Sequence, residues 1–301
     1  MSIDGWAHLS RPEPPGTYET ALADMEHALE HDLPPSPRLI QINNRLAAWE
    51  AYLKIGKVKS FPSILHVALN DICNARCAFC IYSPERSTGK FVSAEDIRRA
   101  KWLKYVQAFF PNAGLSEPLV HPEITDILET VRENAPYINM HMTTNLSLLN
   151  DRLISSFVGH LSVLIVSLNA ASRDTYEFLM PPLKWATVTA NIRATVKAKQ
   201  AANARLPEIQ AGYVLNRHNF QELPTLPAVL SDLGVFATRI IEFAVPGPIA
   251  SRKLLSFEDR IPNDRSAIED VFGRFRHHCE AYGVKLTHPL PAIQHLARSK
   301  G

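Results

Sequence analysis

Hydrophobic positions recur at helical spacing early in the chain and then change to short apolar runs separated by amphipathic stretches. The early pattern predicts a first helix over 17–33, with Thr17 as its cap, and a second over 37–56. The second helix places Leu39 and Leu46 on one apolar face. After a proline-rich start, these helices should form an N-terminal extension that packs on the main domain.

Strand-forming runs and amphipathic helices alternate through the rest of the chain. Strands are predicted over 64–70, 108–114, 137–145, 162–169, 208–216 and 238–246. Helices are predicted over 93–107, 122–135, 149–157, 185–202, 221–233 and 265–283. This alternation indicates parallel strands joined by right-handed crossovers, with both faces of the sheet covered. Six such units suit an open doubly wound sheet or most of a (β/α) barrel, and both place chemistry at the carboxyl ends of the strands.

Composition and charge narrow the class of protein. The 301 residues are 46% hydrophobic and 21% charged, with a net charge of +2, which is typical of a globular domain. No run of like charges suggests a nucleic-acid partner, and the apolar runs are too short to cross a membrane. The first residues lack the basic and apolar regions of a secretory signal. We expect a cytoplasmic protein without nucleic-acid or membrane partners.

Three of the four cysteines, Cys73, Cys77 and Cys80, fall within the segment CNARCAFC directly after the first predicted strand. Such a cluster in a cytosolic protein indicates a metal site more often than disulfides. Structural zinc prefers four closed ligands, and a simple ferredoxin cluster needs four cysteines. The remaining Cys279 lies on the apolar face of the last predicted helix, where a core position is expected. Three thiolates would leave one iron of a [4Fe–4S] cluster open, as in a catalytic metal site.

Two alternatives remain at this point. With Cys279 as a fourth ligand, the chain would be a non-catalytic iron–sulfur protein that transfers electrons. With zinc in place of iron, it would be a metal-stabilised binding module.

The CNARCAFC loop, placed after the first strand of a β/α repeat, resembles the CxxxCxφC loop of radical SAM enzymes, in which φ is aromatic. The resemblance covers about residues 60–285 and implies an α/β fold, a partial (β/α)6 TIM-like barrel with an N-terminal helical extension. It divides the chain into an arm with helices (1–60), a core barrel (61–285) and a C-terminal tail (286–301). It also implies that the three cysteines hold a [4Fe–4S] cluster whose open iron binds S-adenosylmethionine.

The resemblance further implies which residues surround the cofactor: Phe79, Gly114, Ser116, Glu117, Asn145, Ser167 and Asn169. The segment GLSEP stands where relatives have a GGEP-like segment that contacts the methionine amino group. Asn145 stands where relatives often have TTNG, and because Leu146 replaces the glycine, the turn should differ. Ser167 and Asn169 would serve the ribose and carboxylate groups, and Phe79 would border the adenine.

The function implied by the resemblance is that of a radical SAM enzyme. Reductive cleavage of S-adenosylmethionine would give a 5′-deoxyadenosyl radical, which abstracts hydrogen from a small-molecule or peptide substrate, with a peptide or natural product favoured. An external one-electron reductant of the flavodoxin or ferredoxin type is implied as a partner. The N-terminal part resembles the group that carries a SPASM or twitch domain. Because no cysteine follows Cys279, we expect no auxiliary cluster. No residue is assigned as catalytic toward the substrate.

Overall fold

The computed structural model describes residues 14–82, 84–112, 116–243, 255–288 and 290, and it contains one parallel sheet. Seven strands follow one another across this sheet in chain order. They are β1 (Ile64–His66), β2 (Ala108–Phe110), β3 (Asn139–Thr144), β4 (Val163–Ser167), β5 (Glu208–Leu215), β6 (Ala237–Glu242) and β7 (Lys285–Leu286).

The strand order decides between the two predicted architectures. Each strand pairs with the next one along the chain, whereas a doubly wound sheet reverses its order at a switch point. The sheet therefore has the consecutive order of a barrel, with β1 and β7 as its two edges in the described part of the chain. The α/β class is confirmed. The strand β7 was not predicted, because two residues are too few to produce a recognisable apolar run.

Nine α-helices accompany the strands in the described ranges. They are α1 (Tyr18–Glu30), α2 (Pro37–Tyr52), α3 (Ala94–Arg99), α4 (Ile124–Asn134), α5 (Asp151–Phe157), α6 (Arg173–Leu179), α7 (Trp185–Ala201), α8 (Leu226–Asp232) and α9 (Arg265–Ala281). The helix predicted over 93–107 is broken at Ala100, and its second half, Lys101–Tyr105, forms a 3-10 helix. The short helix α6 was not predicted, and the carbonyl of its last residue, Leu179, accepts a hydrogen bond from the N–H of Ala78.

The two N-terminal helices form a hydrophobic cluster of their own. Thr17 caps α1 in a capping box with Thr20, and Ser36 caps α2. The helix α2 ends four residues before the predicted position, and Lys54 follows with a left-handed φ of 56°. Tyr105 joins this cluster from the main domain. The arrangement fits an N-terminal extension, while the division into three segments stays a prediction.

The sheet has a helix-covered face and an inner face. Met142 and Val166 belong to the buried core shared with the helices. The residues that alternate with them point to the inner face, away from that core. The register pairs Ser167 with Gly212 and Gly212 with Arg239, which places these three residues side by side across the inner face. In the part of the chain that the structure describes, no helix has the length and apolar character needed to cross a membrane.

Candidate active site

The cysteine loop lies at the carboxyl edge of the sheet and is held there by backbone hydrogen bonds. The N–H of Arg76 donates to the carbonyl of Pro181 (2.6 Å), and the N–H of Ala78 donates to that of Leu179 (2.8 Å). The carbonyl of Ala78 accepts from the N–H of Leu255 (2.8 Å). Segments after β4 and after β6 therefore hold the loop through its backbone.

One cavity at this edge collects the predicted site residues. Every described residue of the predicted set lines it: Cys73, Cys77, Phe79, Cys80, Ser116, Glu117, Asn145, Ser167 and Asn169. Gly114 lies outside the described residues. The residues come from the loop after β1 and from the ends of β2, β3 and β4, which is the functional rim of a parallel α/β fold.

The three thiols are partly buried and unpaired by disulfides. Burial raises the pKa of Cys73 to about 11 and raises those of Cys77 and Cys80 as well. At Cys77 the neighbouring cysteines add to this rise in pKa. Backbone N–H groups partly offset the rise in pKa at the other two thiols. The N–H of Ala75 lies 3.4 Å from Sγ of Cys73, and the N–H of Tyr82 lies 3.4 Å from Sγ of Cys80. The thiols are therefore neutral at pH 7 until a cation binds them.

Glu117 is buried, with 3% of its surface exposed, and connects the segment after β2 to the end of β3. Its Oε2 accepts from the N–H of Asn145 (2.8 Å), and its Oε1 accepts from the N–H of Leu119 (3.1 Å) and from the hydroxyl of Thr144. Burial outweighs these donors and raises the pKa of Glu117 to about 7. The carboxyl group therefore accepts three hydrogen bonds from the protein.

The turn after β3 keeps a glycine-like conformation although it contains no glycine. Leu146 has a φ of 57°, in the left-handed region that favours glycine, so a leucine here holds a backbone conformation that a glycine would adopt more easily. The amide of Asn145 stabilises the turn by donating to Oδ1 of Asn74 (2.9 Å) and accepting from the N–H of Ser147 (2.9 Å). Both ends of the Asn145 amide are thus used within the protein.

Asn169 likewise stabilises the backbone at the end of β4 through its side-chain amide. Its φ is 53°, its Oδ1 accepts from the N–H of Val214 (2.8 Å), and its Nδ2 lies 3.2 Å from Sδ of Met180. Asparagine tolerates the left-handed region better than most residues with a Cβ atom, and its amide here joins β4 to β5. Asn169 therefore shapes the cavity wall with an amide that already has protein partners.

Two serine hydroxyls remain available in the cavity. Oγ of Ser116 is buried and has no hydrogen-bond partner, and Ser167 makes no side-chain hydrogen bond within the described residues. A buried hydroxyl without a partner is costly, and such groups commonly receive a ligand or a water molecule. These two hydroxyls are the groups best placed to receive a polar ligand.

Cys279 is a core residue, as the helical pattern predicts. It is buried on α9 in the same core as Phe272 and Phe275. It borders a groove with Val284 and Lys285 at the amino end of β7, and it does not line the cavity of the other three cysteines. The described structure therefore separates Cys279 from the cysteine loop, which contradicts the alternative in which it is the fourth ligand.

Sequence reasoning missed several residues of the cavity wall. Asn112, Thr143 and Met180 line it beside the cysteines. The first two lie after β2 and near the end of β3, so their position at strand ends was the available signal. Among the described residues, no three His, Cys, Asp or Glu side chains are grouped so as to hold a metal ion.

Comparison with known proteins finds a family model that matches the part of the chain containing the cysteine loop. Residues 67–209, which include the cysteine loop, match the family model described as the radical SAM superfamily. A probable GTP 3′,8-cyclase from Saccharolobus islandicus is 28% identical over 179 residues, covering 59% of this chain and 56% of that protein. The chain thus spans little more than half the length of the curated relatives that it matches.

Solved structures share the fold. SuiB from Streptococcus suis, bound to S-adenosylmethionine, superposes with a TM-score of 0.62 over 91% of this chain and 60% of its own, at 13% identity. SuiB bound to the precursor peptide SuiA gives a TM-score of 0.59 over 89% of this chain and 59% of its own, at 14% identity. At this identity the likeness concerns the fold, a TIM-like arrangement. The family model covers a little under half of the chain, and together with the curated relatives it shows a similarity to the radical SAM superfamily that includes the cysteine loop.

Proposed function

We propose that the chain is a radical SAM enzyme whose cysteine loop holds a [4Fe–4S] cluster and whose cavity binds S-adenosylmethionine. One observation carries the proposal: three cysteines share a cavity with the unpartnered hydroxyl of Ser116 at the carboxyl edge of a parallel sheet. When bound, these groups supply one-electron cleavage of S-adenosylmethionine to methionine and a 5′-deoxyadenosyl radical that removes hydrogen from the substrate. The following roles belong to the chain's own residues.

The cysteines fit a cluster. Three thiols are fewer than a closed site needs, so one iron would keep a position for the cofactor. The N–H groups of Ala75 and Tyr82 would stabilise two of the thiolates after metal binding has released their protons.

The cavity wall divides between groups that bind and groups that position. Ser116 and Ser167 offer hydroxyls to the amino acid and ribose parts of the cofactor, and Phe79 offers a ring to the adenine. Glu117 acts mainly by holding the turn at Asn145. A contact between its segment and the cofactor ammonium, which the resemblance implies, stays a prediction. Asn169 positions β5 by the bond to Val214, while the cofactor contact of Gly114 stays a prediction.

A peptide or natural product remains our first proposal for the substrate, supported by the fold shared with SuiB, which one solved structure shows with a precursor peptide. An external one-electron reductant of the flavodoxin or ferredoxin type would supply the electron.

A second candidate is a small anionic substrate. Arg239 lies on the inner face of β6, next to Gly212, which contributes no side chain between Arg239 and the cavity residue Ser167. Nε of Arg239 is buried without a partner, and the guanidinium makes no ion pair among the described residues. An unpaired guanidinium suits a phosphate or carboxylate. The curated relatives are named for GTP, which carries such groups.

Anaerobic reconstitution with iron and sulfide tests the proposed function. We expect about four irons per chain, an EPR spectrum of the reduced cluster that changes on adding S-adenosylmethionine, and 5′-deoxyadenosine formed under reductant. Cys73→Ala should lose the cluster, and Cys279→Ala is the matched control that should keep it. Zinc without iron, or loss of the cluster in Cys279→Ala, would contradict the proposal.

A further inference from the structure

The backbone of Ala78, in the cysteine loop, is held by two separate parts of the chain. Its N–H donates to the carbonyl of Leu179 at the end of α6, and its carbonyl accepts from the N–H of Leu255 (2.8 Å each). Leu255 begins the segment 255–259 after β6, and its side chain is buried in the core. The order of the loop therefore depends on how firmly α6 and the segment 255–259 are themselves held.

His218, in the turn after β5, contacts both of these elements. Its Nε2 lies 2.8 Å from Oδ1 of Asp259, the last residue of the segment. Its ring packs on the ring of Phe178 in α6, with 5.0 Å between the ring centroids. Oδ2 of Asp259 accepts from the N–H of Ser256 (2.7 Å), so the same carboxylate also holds the segment together. His218 thus joins the two elements that hold the cysteine loop.

The turn that carries His218 is itself fixed by buried side-chain amides. Asn216 and Asn219 are fully buried. The N–H of His218 donates to Oδ1 of Asn216 (3.0 Å), and the N–H of Asn216 donates to Oδ1 of Asn219 (2.8 Å). Nδ2 of Asn219 donates to the carbonyl of Asn169 in the cavity wall (2.9 Å). The imidazole therefore extends from a well-anchored backbone.

The pair of His218 and Asp259 should have a local effect rather than a global one. Partly exposed pairs contribute little to the free energy of unfolding, and here 34% and 22% of the two side chains are exposed. The pair nevertheless links the connections after β5 and after β6, and such a link opposes local opening. The N–H of Arg217 also donates to the carbonyl of Asp259 (2.8 Å), so losing the imidazole should loosen the segment without releasing it.

We propose that His218 is a positioning residue for the metal centre: by joining α6 to the segment 255–259, it keeps the cysteine loop in the conformation in which its thiols hold the cluster. The inference rests on the proposed function for the cluster, whereas its effect on the loop is measurable in the unloaded protein. His218 does not line the cavity of the cysteines, so it acts through the backbone of Ala78.

Three variants of the full chain test the proposal. His218→Ala removes the contacts with both Asp259 and Phe178. His218→Gln keeps an N–H group that can donate to Asp259, so it should restore part of the wild-type behaviour. Lys184→Ala is the matched control, because Lys184 forms a partly exposed pair with Glu177 of α6 (3.0 Å), away from the segment 255–259.

Hydrogen exchange of the unloaded protein, followed by mass spectrometry, measures the order of the loop. Peptides that cover the cysteine loop and the segment 255–259 should exchange about fivefold faster in His218→Ala, as expected for one lost hydrogen bond. Peptides that cover β4 should keep the wild-type rate, and Lys184→Ala should match the wild type throughout. Equal acceleration in β4 and in the loop would mean that His218 serves only overall stability, which would overturn the inference.

Release of iron to a chelator after anaerobic reconstitution measures the consequence for the metal centre. We expect His218→Ala to bind as much iron as the wild type at first and to release it about fivefold faster. His218→Gln should give an intermediate rate, and Lys184→Ala the wild-type rate. If His218→Ala does not fold, His218→Asn replaces it, because asparagine is too short to keep the contact with Asp259.

Two results would overturn the inference alone: unchanged exchange in the cysteine loop, or unchanged release of iron although the loop exchanges faster. A wild-type chain that binds no iron would instead overturn the proposed function, and with it the role of His218 at a metal centre.

Discussion

The N–H of Asn145 donates a hydrogen bond of 2.8 Å to Oε2 of Glu117, and this bond joins the segment after β2 to the turn after β3. The two segments are the ones in which the sequence departs from the usual family pattern. Their direct connection means that the substituted residues form one unit, with the buried carboxyl group of Glu117 at its centre.

Glu117→Gln should change how stability depends on pH. Because the folded state raises the pKa of Glu117 from 4.5 to about 7, its protonation favours folding. The associated stability is fully present below the ordinary pKa and is lost as pH rises through about 7. Relative to the wild type, the variant should therefore gain stability between pH 5 and pH 8, by on the order of 3 kcal/mol.

Urea unfolding of the unloaded protein under anaerobic conditions measures this difference. Glu129→Gln, at an exposed position of α4, is the control and should follow the wild-type profile. Parallel pH profiles for the wild type and Glu117→Gln would show that Glu117 does not titrate as described.

Ser116→Ala should weaken cofactor binding without harming the fold. Its hydroxyl has no partner among the residues that the structure describes, so its removal should leave the unloaded protein as stable or more stable. The affinity of the cluster-loaded protein for S-adenosylmethionine should fall about five- to tenfold, as expected for one lost hydrogen bond. Isothermal titration calorimetry measures this affinity, with Ser155→Ala on α5 as control. An unchanged affinity in Ser116→Ala would remove Ser116 from the binding site.

At Leu146, the glycine variant should be more stable than the alanine variant, which is the reverse of the usual order. Leu146 is fully buried and has a left-handed φ, so both Leu146→Ala and Leu146→Gly should lose about 2–4 kcal/mol of core packing. Leu146→Gly should nevertheless be about 1 kcal/mol more stable than Leu146→Ala, because alanine, like leucine, is disfavoured in the left-handed conformation. Leu164 in β4 is also fully buried, and there the alanine variant should be more stable than the glycine variant, as is usual. Chemical denaturation of the four variants measures these differences in stability. If Leu146→Ala is more stable than Leu146→Gly, the argument from the left-handed φ is wrong.

Arg239→Gln should separate the two substrate classes. If the substrate carries a phosphate or carboxylate that pairs with the guanidinium, binding of the probe GTP should weaken about tenfold or more, and Arg239→Lys should restore part of it. Arg193→Gln, which breaks an exposed ion pair with Asp232, should leave binding unchanged. Equilibrium dialysis of the loaded protein with radiolabelled GTP measures the effect. Equal binding by Arg239→Gln and the wild type would end the argument for an anionic substrate at this residue.

The sequence could predict features whose chemistry is local. The spacing of Cys73, Cys77 and Cys80 and their place after the first strand were sufficient to locate the site, and the alternation of elements was sufficient for a parallel α/β sheet. The break at Ala100 was hidden, because apolar residues continue at similar spacing through the following 3-10 helix. The strand β7 was too short to leave a pattern.

The use of the polar side chains could not be predicted, because it depends on distant partners. The amide of Asn145 meets Asn74, and that of Asn169 meets the backbone of Val214, each far away in the sequence. The same limit applies to Ser116, whose hydroxyl is buried without a partner in the described part of the chain. Only packing in three dimensions shows which hydroxyls are unpaired.

The backbone bonds that hold the cysteine loop also set an order of events during synthesis. Arg76 and Ala78 bond to carbonyl groups of Pro181 and Leu179, and Leu255 adds its N–H later still. Because contacts between distant residues form only after the intervening chain has emerged and folded, the thiols acquire their spacing late. Iron and sulfide delivered to a nascent chain would meet three unorganised cysteines. If the proposed cluster binds here, its three ligands are therefore held in place only after the chain as far as Leu255 has folded.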